Sequence, residues 1–294
     1  MRNPLITVIL PNYNHAPFLE ERLQSILNQT YSTFELIILD DASTDESLMK
    51  IEKYRRHEKV SHVIINNKNT GSPFVQWKKG LELARGNYIW IAESDDTCEL
   101  NFLETQVQSL KESSVSIAKT LSFDSNGIKG EVQHPVYREI SKVINNEQIL
   151  YCPILNVSSI LFKAPKKGEL AKSQFSNFKL IGDRVFYFEF FQHKKVARNC
   201  NTTSFFRKED EGLSNLKSKG LEYLKAYFEE HVKFIRLAAK KEQGALDQLV
   251  NTYITRFYTR VRNRVSRKNK MSLQFLRIYV HFKYELIKTK VISL

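Results

Sequence analysis

The sequence predicts an α/β protein, a mostly parallel central sheet with helices on both faces, followed by a helical extension. Three observations carry this. Through the first third of the chain, unbroken apolar runs rich in β-branched side chains alternate with segments whose apolar residues recur at helical spacing. Two of those runs stop abruptly on paired acids, Asp40-Asp41 and Asp95-Asp96. From Leu216 onward only the helical period remains.

Leu5 to Leu10 is a buried-type strand that ends in the loop Pro11-Asn12-Tyr13-Asn14, after which Phe18, Leu19, Leu23, Ile26 and Leu27 follow as one helix face. Phe34 to Leu39 is the second strand. Ser43-Thr44-Asp45-Glu46 opens a helix carrying Leu48, Met49, Ile51 and Tyr54. Val60 to Ile65 is the third strand, and a polar loop through Gly71 leads to a helix with Phe74, Trp77, Leu81 and Leu83. Gly86 closes that helix, and Tyr88 to Ala92 runs as the fourth strand into Glu93-Ser94-Asp95-Asp96. Strictly alternating strands and helices force parallel pairing through crossovers. Beyond a helix from about Glu99 to Lys111 come strands at Val115–Phe123, Glu131–Tyr137 and Asn156–Phe162. An aromatic helix then starts near Asp183, and Lys195 to Arg207 returns to the sheet. The acidic turn Glu209-Asp210-Glu211-Gly212 is the best boundary. It divides the chain into residues 1–214, with halves 1–112 and 113–214, and an extension over 215–294.

With 294 residues, 42% of them hydrophobic, the chain can bury a sizeable core without staples. Its three cysteines are widely spaced and form no CxxC, so neither a disulfide framework nor a zinc knuckle is indicated. Leu5 to Leu10 is too short for a signal peptide and no run is long enough to span a bilayer, so a cytoplasmic location is expected. Charge is unevenly spread: residues 215–294 hold 18 Lys and Arg against 6 Asp and Glu, a net +12 of the chain's +13. No Gly-rich turn follows the first strand, and no Walker loop, GxSxG or HExxH occurs.

Open α/β sheets bind ligands beyond the carboxyl ends of their strands, where both acidic pairs fall. There Tyr13 can stack on a nucleobase, Asp40 can accept a base N–H, Asp95 can hold ribose hydroxyls and Asp96 a metal bound to a diphosphate. Each has a plainer reading beside it. Asp95-Asp96-Thr97 also reads as a helix cap, Asp40 as a turn residue, Gly71 as an ordinary turn and Asp183 as an N-cap.

Taken together and in order, Pro11-Asn12-Tyr13-Asn14, Gln29-Thr30-Tyr31, Asp40-Asp41-Ala42-Ser43-Thr44-Asp45, Ala84-Arg85-Gly86-Asn87-Tyr88 and Ser94-Asp95-Asp96 resemble the nucleotide-binding half of inverting family 2 glycosyltransferases with the GT-A fold, SpsA-type enzymes among them. Ile181-Gly182-Asp183 extends the resemblance to about residue 214. It implies a nucleoside-diphosphate sugar donor, with a UDP-sugar foremost, and a saccharide or lipid-linked acceptor in surface polysaccharide synthesis. It also implies donor contacts from Pro11, Asn12, Tyr13, Asp40, Gly71, Ser94 and Asp95, Mg²⁺ or Mn²⁺ at Asp96, and Asp183 as general base. Two rival readings are a non-catalytic GT-A-like subunit and a nucleotidyltransferase. One departure stands out: where many relatives carry Arg-x-His, this chain has Arg207-Lys208-Glu209.

In the extension, Leu221, Leu224, Phe228, Val232 and Ile235 form one apolar stripe, and Ile254, Phe257, Tyr258, Val261 and Val265 form another. Residues 256–270 hold seven basic side chains and no acid. Two readings stand: residues 256–290 resting on an anionic membrane surface, or a helical hairpin packed with its lysines in solvent. No nucleic-acid module accompanies the charge, so no nucleic-acid partner is expected.

Overall fold

The computed structural model describes residues 3–138, 143–208 and 219–292, in two compact units, residues 1–208 and 209–294. The boundary expected at 214, and the departure at Glu209, lie outside the described residues.

In the first unit the chain runs β1 (Ile6–Asn12), α1 (Ala16–Leu27), β2 (Phe34–Asp40), α2 (Ser47–Tyr54), β3 (Val60–Ile65), α3 (Pro73–Leu83), β4 (Tyr88–Ile91), β5 (Thr97–Cys98) and α4 (Phe102–Ser109). It continues through β6 (Val115–Asp124), β7 (Gly127–Glu131), α5 (Asn146–Leu150), β8 (Ile160–Lys163), α6 (Lys167–Lys172), α7 (Gly182–Phe191) and β9 (Val196–Arg207). The strands form one sheet ordered β3-β2-β1-β4-β8-β6-β9-β5, with β7 hydrogen-bonded to β6. The half built from β1 to β4 is parallel throughout. Antiparallel pairing enters with β8, β7 and β5. Register sets Asn12 beside Asp40, so the first two strands end level and deliver their loops to the same edge.

Both faces of β1, β2 and β4 are apolar because both are covered. Ile6, Val8, Leu36, Ile38 and Trp90 pack against Leu19, Leu23 and Ile26 of α1, Ile51 of α2 and Phe102 of α4. On the other side, α3 lies along β1. An aromatic cluster joins Phe162 on β8 to Phe186 and Phe191 of α7. The strand expected over Glu131–Tyr137 is displaced: β7 ends at Glu131, and Pro135 begins a 3₁₀ turn. A tight turn at Asn126, whose N–H donates to Asp124 Oδ1 at 2.7 Å, folds the chain straight back onto β6. Proximity along the chain decides that pairing.

The second unit is three helices, α8 (Leu221–Lys241), α9 (Asp247–Arg262) and α10 (Leu273–Ile292). Phe228, Val232, Ile235, Tyr253, Phe257 and Val261 are buried among them. His231 Nδ1 meets the Tyr253 hydroxyl at 2.7 Å, and Arg236 binds the buried Glu285 at 2.7 Å, tying α8 to α9 and to α10. Both predicted apolar stripes therefore serve the unit's own packing. No helix among the described residues is long and apolar enough to cross a membrane.

Candidate active site

The loops after β1 and β2 are laced together by short polar side chains. Asp40 is the knot: its Oδ2 accepts from Asn12 Nδ2 at 2.8 Å and the Ser43 hydroxyl at 2.6 Å, and its Oδ1 accepts from the Ser43 N–H at 2.8 Å. It is fully buried. Donors within these loops already occupy three of the roughly four acceptor positions of this carboxylate, which leaves one, on Oδ1, for the expected base N–H. Asp41 does the same for the next loop, accepting from Asn66, Thr70 and Gln76. Pro11 and Asn12 are buried supports, whereas Tyr13 stands out of the loop at 42% exposure, a ring face open to a ligand. Gly71 occupies the left-handed region at φ +70° in an exposed turn.

At the end of β4 the acids divide. Asp96 is buried: its Oδ1 accepts from the Arg207 N–H and its Oδ2 from Asn156 Nδ2, each at 2.9 Å. Asp95 is half-buried, and its carbonyl accepts from Arg207 Nε at 2.9 Å. The cap reading of Asp95-Asp96-Thr97 gives way, since Thr97–Cys98 pairs with β9 and Asn101 precedes α4. Removal from water, then the neighbouring Asp95, pushes Asp96 above the usual carboxylate range and Glu93 up to about 8.

Four residues that sequence reasoning passed over complete this edge. Glu93 Oε1 accepts from Trp77 Nε1 at 2.7 Å. The imidazole of His15 lies 2.8 Å from the Ser94 hydroxyl, its pKa lowered by burial against the pull of Asp45 and Asp96. Arg22 is fully buried in α1 with its guanidinium 4.8 Å from the Trp90 ring, and none of its three nitrogens has a hydrogen-bond partner among the described residues. That lone charge holds down both Glu93 and Asp96. The sequence did carry a signal for Arg22, a cation inside the apolar stripe of Leu19, Leu23 and Ile26. Asn156, the fourth, lies far away along the chain and had none.

Packing links α7, the helix that bears Asp183, to the same edge. Trp77, held by Glu93, packs edge-on against Phe186 of α7 with ring centres 5.6 Å apart. Gly182 allows the close approach: a Cβ there would meet Phe74 at 2.3 Å and the Phe175 carbonyl at 2.8 Å. Asp183, half-buried in the first turn of α7, and Glu93 both raise the pKa of the buried Tyr187, after burial itself. Helix α7 and Glu93 thus meet through Trp77.

As for a divalent cation, no cluster of three or more ligating side chains exists among the described residues. The donor set is nonetheless suitable: Asp95 and Asp96 are hard oxygen ligands, and Asn156 Oδ1 beside them is buried without a hydrogen-bond partner. One or two carboxylates plus substrate phosphates is how Mg²⁺-type ions are usually held.

A level edge of parallel strands carrying acids, extended by a mixed sheet, is the architecture of the GT-A fold. The chain belongs to Glycosyl transferase family 2, whose profile matches residues 7–158, just over half of it. Among curated proteins it is 33% identical over 117 residues to the putative teichuronic acid biosynthesis glycosyltransferase TuaG of Bacillus subtilis, covering 40% of this chain and 46% of that one. It is 27% identical over 269 residues to the poly(ribitol-phosphate) beta-N-acetylglucosaminyltransferase TarP of Staphylococcus aureus, covering 85% and 78%. The matches to the first three curated relatives span less than half of those proteins' length. Among solved structures, S. aureus TarS 1-349 in complex with UDP-GlcNAc superposes with a TM-score of 0.67 at 20% identity, over 97% of this chain and 81% of that one.

Proposed function

We propose that this protein transfers a sugar from a UDP-sugar to a hydroxyl of a saccharide or lipid-linked acceptor, with inversion at the anomeric carbon, in surface polysaccharide synthesis. The observation that carries the reading is the link Glu93–Trp77–Phe186, which ties the β4 acids to the helix bearing Asp183. The relatives TarP, a poly(ribitol-phosphate) beta-N-acetylglucosaminyltransferase, and TarS, solved in complex with UDP-GlcNAc, support the choice of donor and acceptor class.

In this mechanism Tyr13 stacks on the base, and Asp40, braced by its own loop, accepts a base N–H at its remaining acceptor position. Ser94 and Asp95 face the ribose and diphosphate. Asp95 and Asp96 would hold Mg²⁺ or Mn²⁺ against the phosphates, where the cation offsets the charge of the departing nucleotide. Asp183 takes the acceptor's hydroxyl proton as that oxygen forms a bond to the anomeric carbon, while the bond from that carbon to the β-phosphate oxygen breaks and UDP leaves with its electron pair. One displacement inverts the centre.

The test is Asp183→Asn. Turnover is expected to fall by roughly 10²- to 10⁴-fold, the usual share of a general base, while calorimetry shows UDP binding unchanged. Normal transfer by the variant would remove Asp183 from the chemistry. Pyrophosphate among the products, in place of UDP, would make the protein a nucleotidyltransferase.

A further inference from the structure

Helix α10 carries apolar side chains on two opposite faces, and only one face is covered. Phe275, Ile278 and Phe282 are buried with α8 and α9. Half a turn away, Leu273, Leu276, Val280, Tyr284 and Ile287 are each at least 51% exposed. Their spacings of three and four residues stack them into a single stripe. Met271, 90% exposed, continues it beyond the helix start. On α9, by contrast, Ile254, Phe257 and Val261 are buried, so the apolar surface expected there is already spent inside the unit.

The borders of the stripe are cationic. At about 100° per residue, Arg277 and Lys288 fall along one side and Lys283 along the other, all exposed. Arg267 and Lys268, also exposed, precede the helix. Between Leu273 and Lys288 the sequence has a single acid, Glu285, and it is turned inward and bound by Arg236.

We propose that this face of α10 lies on an anionic lipid bilayer, the stripe entering the boundary of the acyl chains and the flanking cations meeting the phosphates. An apolar centre with basic residues on both borders is the build of an interfacial helix, and its adhesion sums buried apolar area and attraction to anionic headgroups. A second copy of the chain suits the face badly. Apposing two such stripes would bring Arg277, Lys283 and Lys288 against like charges with no exposed acid on the helix to receive them. The proposal concerns the helical unit and stands or falls independently of the donor reading.

The test is sedimentation of the full chain with vesicles of pure phosphatidylcholine or of equal parts phosphatidylcholine and phosphatidylglycerol. The protein is expected to pellet with the mixed vesicles and to stay in solution with the neutral ones. Combining Arg277→Gln, Lys283→Gln and Lys288→Gln should weaken binding roughly a hundredfold, at about 1 kcal/mol per cation. Leu276→Ser with Val280→Ser should abolish it with the helical circular dichroism intact. Leu276→Trp supplies an independent readout, a blue-shifted emission with the mixed vesicles. Failure of the unaltered protein to pellet would overturn the proposal, as would undiminished binding by the double serine variant. A dimer in light scattering that the two serines abolish would assign the stripe to a second copy instead.

Discussion

His134 illustrates how one side chain can set a limit for the whole chain. It is fully buried, Nδ1 accepts the Leu155 N–H at 3.0 Å, and the remaining ring nitrogen therefore carries the proton that meets the Thr120 hydroxyl at 2.9 Å. Burial, helped by Arg198, pushes its pKa down to about 4. Between the ordinary histidine value and that figure, the unfolded chain binds a proton that the folded one refuses, so stability falls as pH drops through this window and then levels off. The His134 contribution to that loss is about 2 kcal/mol between pH 7 and pH 5, and Glu93, whose folded pKa is raised to about 8, shifts stability the opposite way over the same range. Urea unfolding of the unaltered protein and of His134→Gln at the two values checks it: the unaltered protein should lose about 2 kcal/mol relative to the variant on going from pH 7 to pH 5. The position of Asp40 at a strand end was plain from sequence, but the number of its acceptor positions that the loops occupy was not. Arg207 and Asn156 each take one acceptor position at Asp96, from the far side of the chain.

The junction of β1 and β4 explains another run of residues that sequence showed only as a pattern. Glu35 is buried and accepts from the Thr7 hydroxyl, the Arg85 N–H and the Arg85 guanidinium, and the Thr7 oxygen in turn accepts from the Gly86 N–H at 2.9 Å. Burial raises the Glu35 pKa, but these donors outweigh it and leave the carboxyl below its ordinary value. Ala84-Arg85-Gly86 is thus a brace between strands. Gly86→Ala would place a carbon 2.5 Å from the Thr7 nitrogen and 2.9 Å from the Ile6 carbonyl carbon. Backbone cannot yield as a side chain does, so the variant is expected to lose about 1–3 kcal/mol, as overpacked sites do, measurable as a lower thermal midpoint. Strands β1 to β4 were legible because each is a self-contained apolar run. Strand β5 was not, being two residues whose only claim to be a strand is β9, a hundred positions on.

Across the molecule, the candidate cation site joins protein to substrate. Two carboxylates, with no cluster of three ligating side chains among the described residues, should hold a metal weakly until a diphosphate supplies further oxygens. A chelator is accordingly expected to lower UDP affinity roughly tenfold or more and to leave the melting of the donor-free protein unchanged, which calorimetry with and without Mn²⁺ would reveal. The same division between near and far runs through the whole chain. Element type, the alternation that makes the first sheet half parallel, the acids at its edge and the basic extension all follow from residues a few positions apart, and the sequence is enough to settle them. Which acid is enclosed, where Trp77 meets Phe186 on the helix that bears Asp183, and which face of α10 stays bare depend on partners tens to hundreds of positions away. Exposure and hydrogen bonding are shared between distant segments, so only the folded chain could decide them.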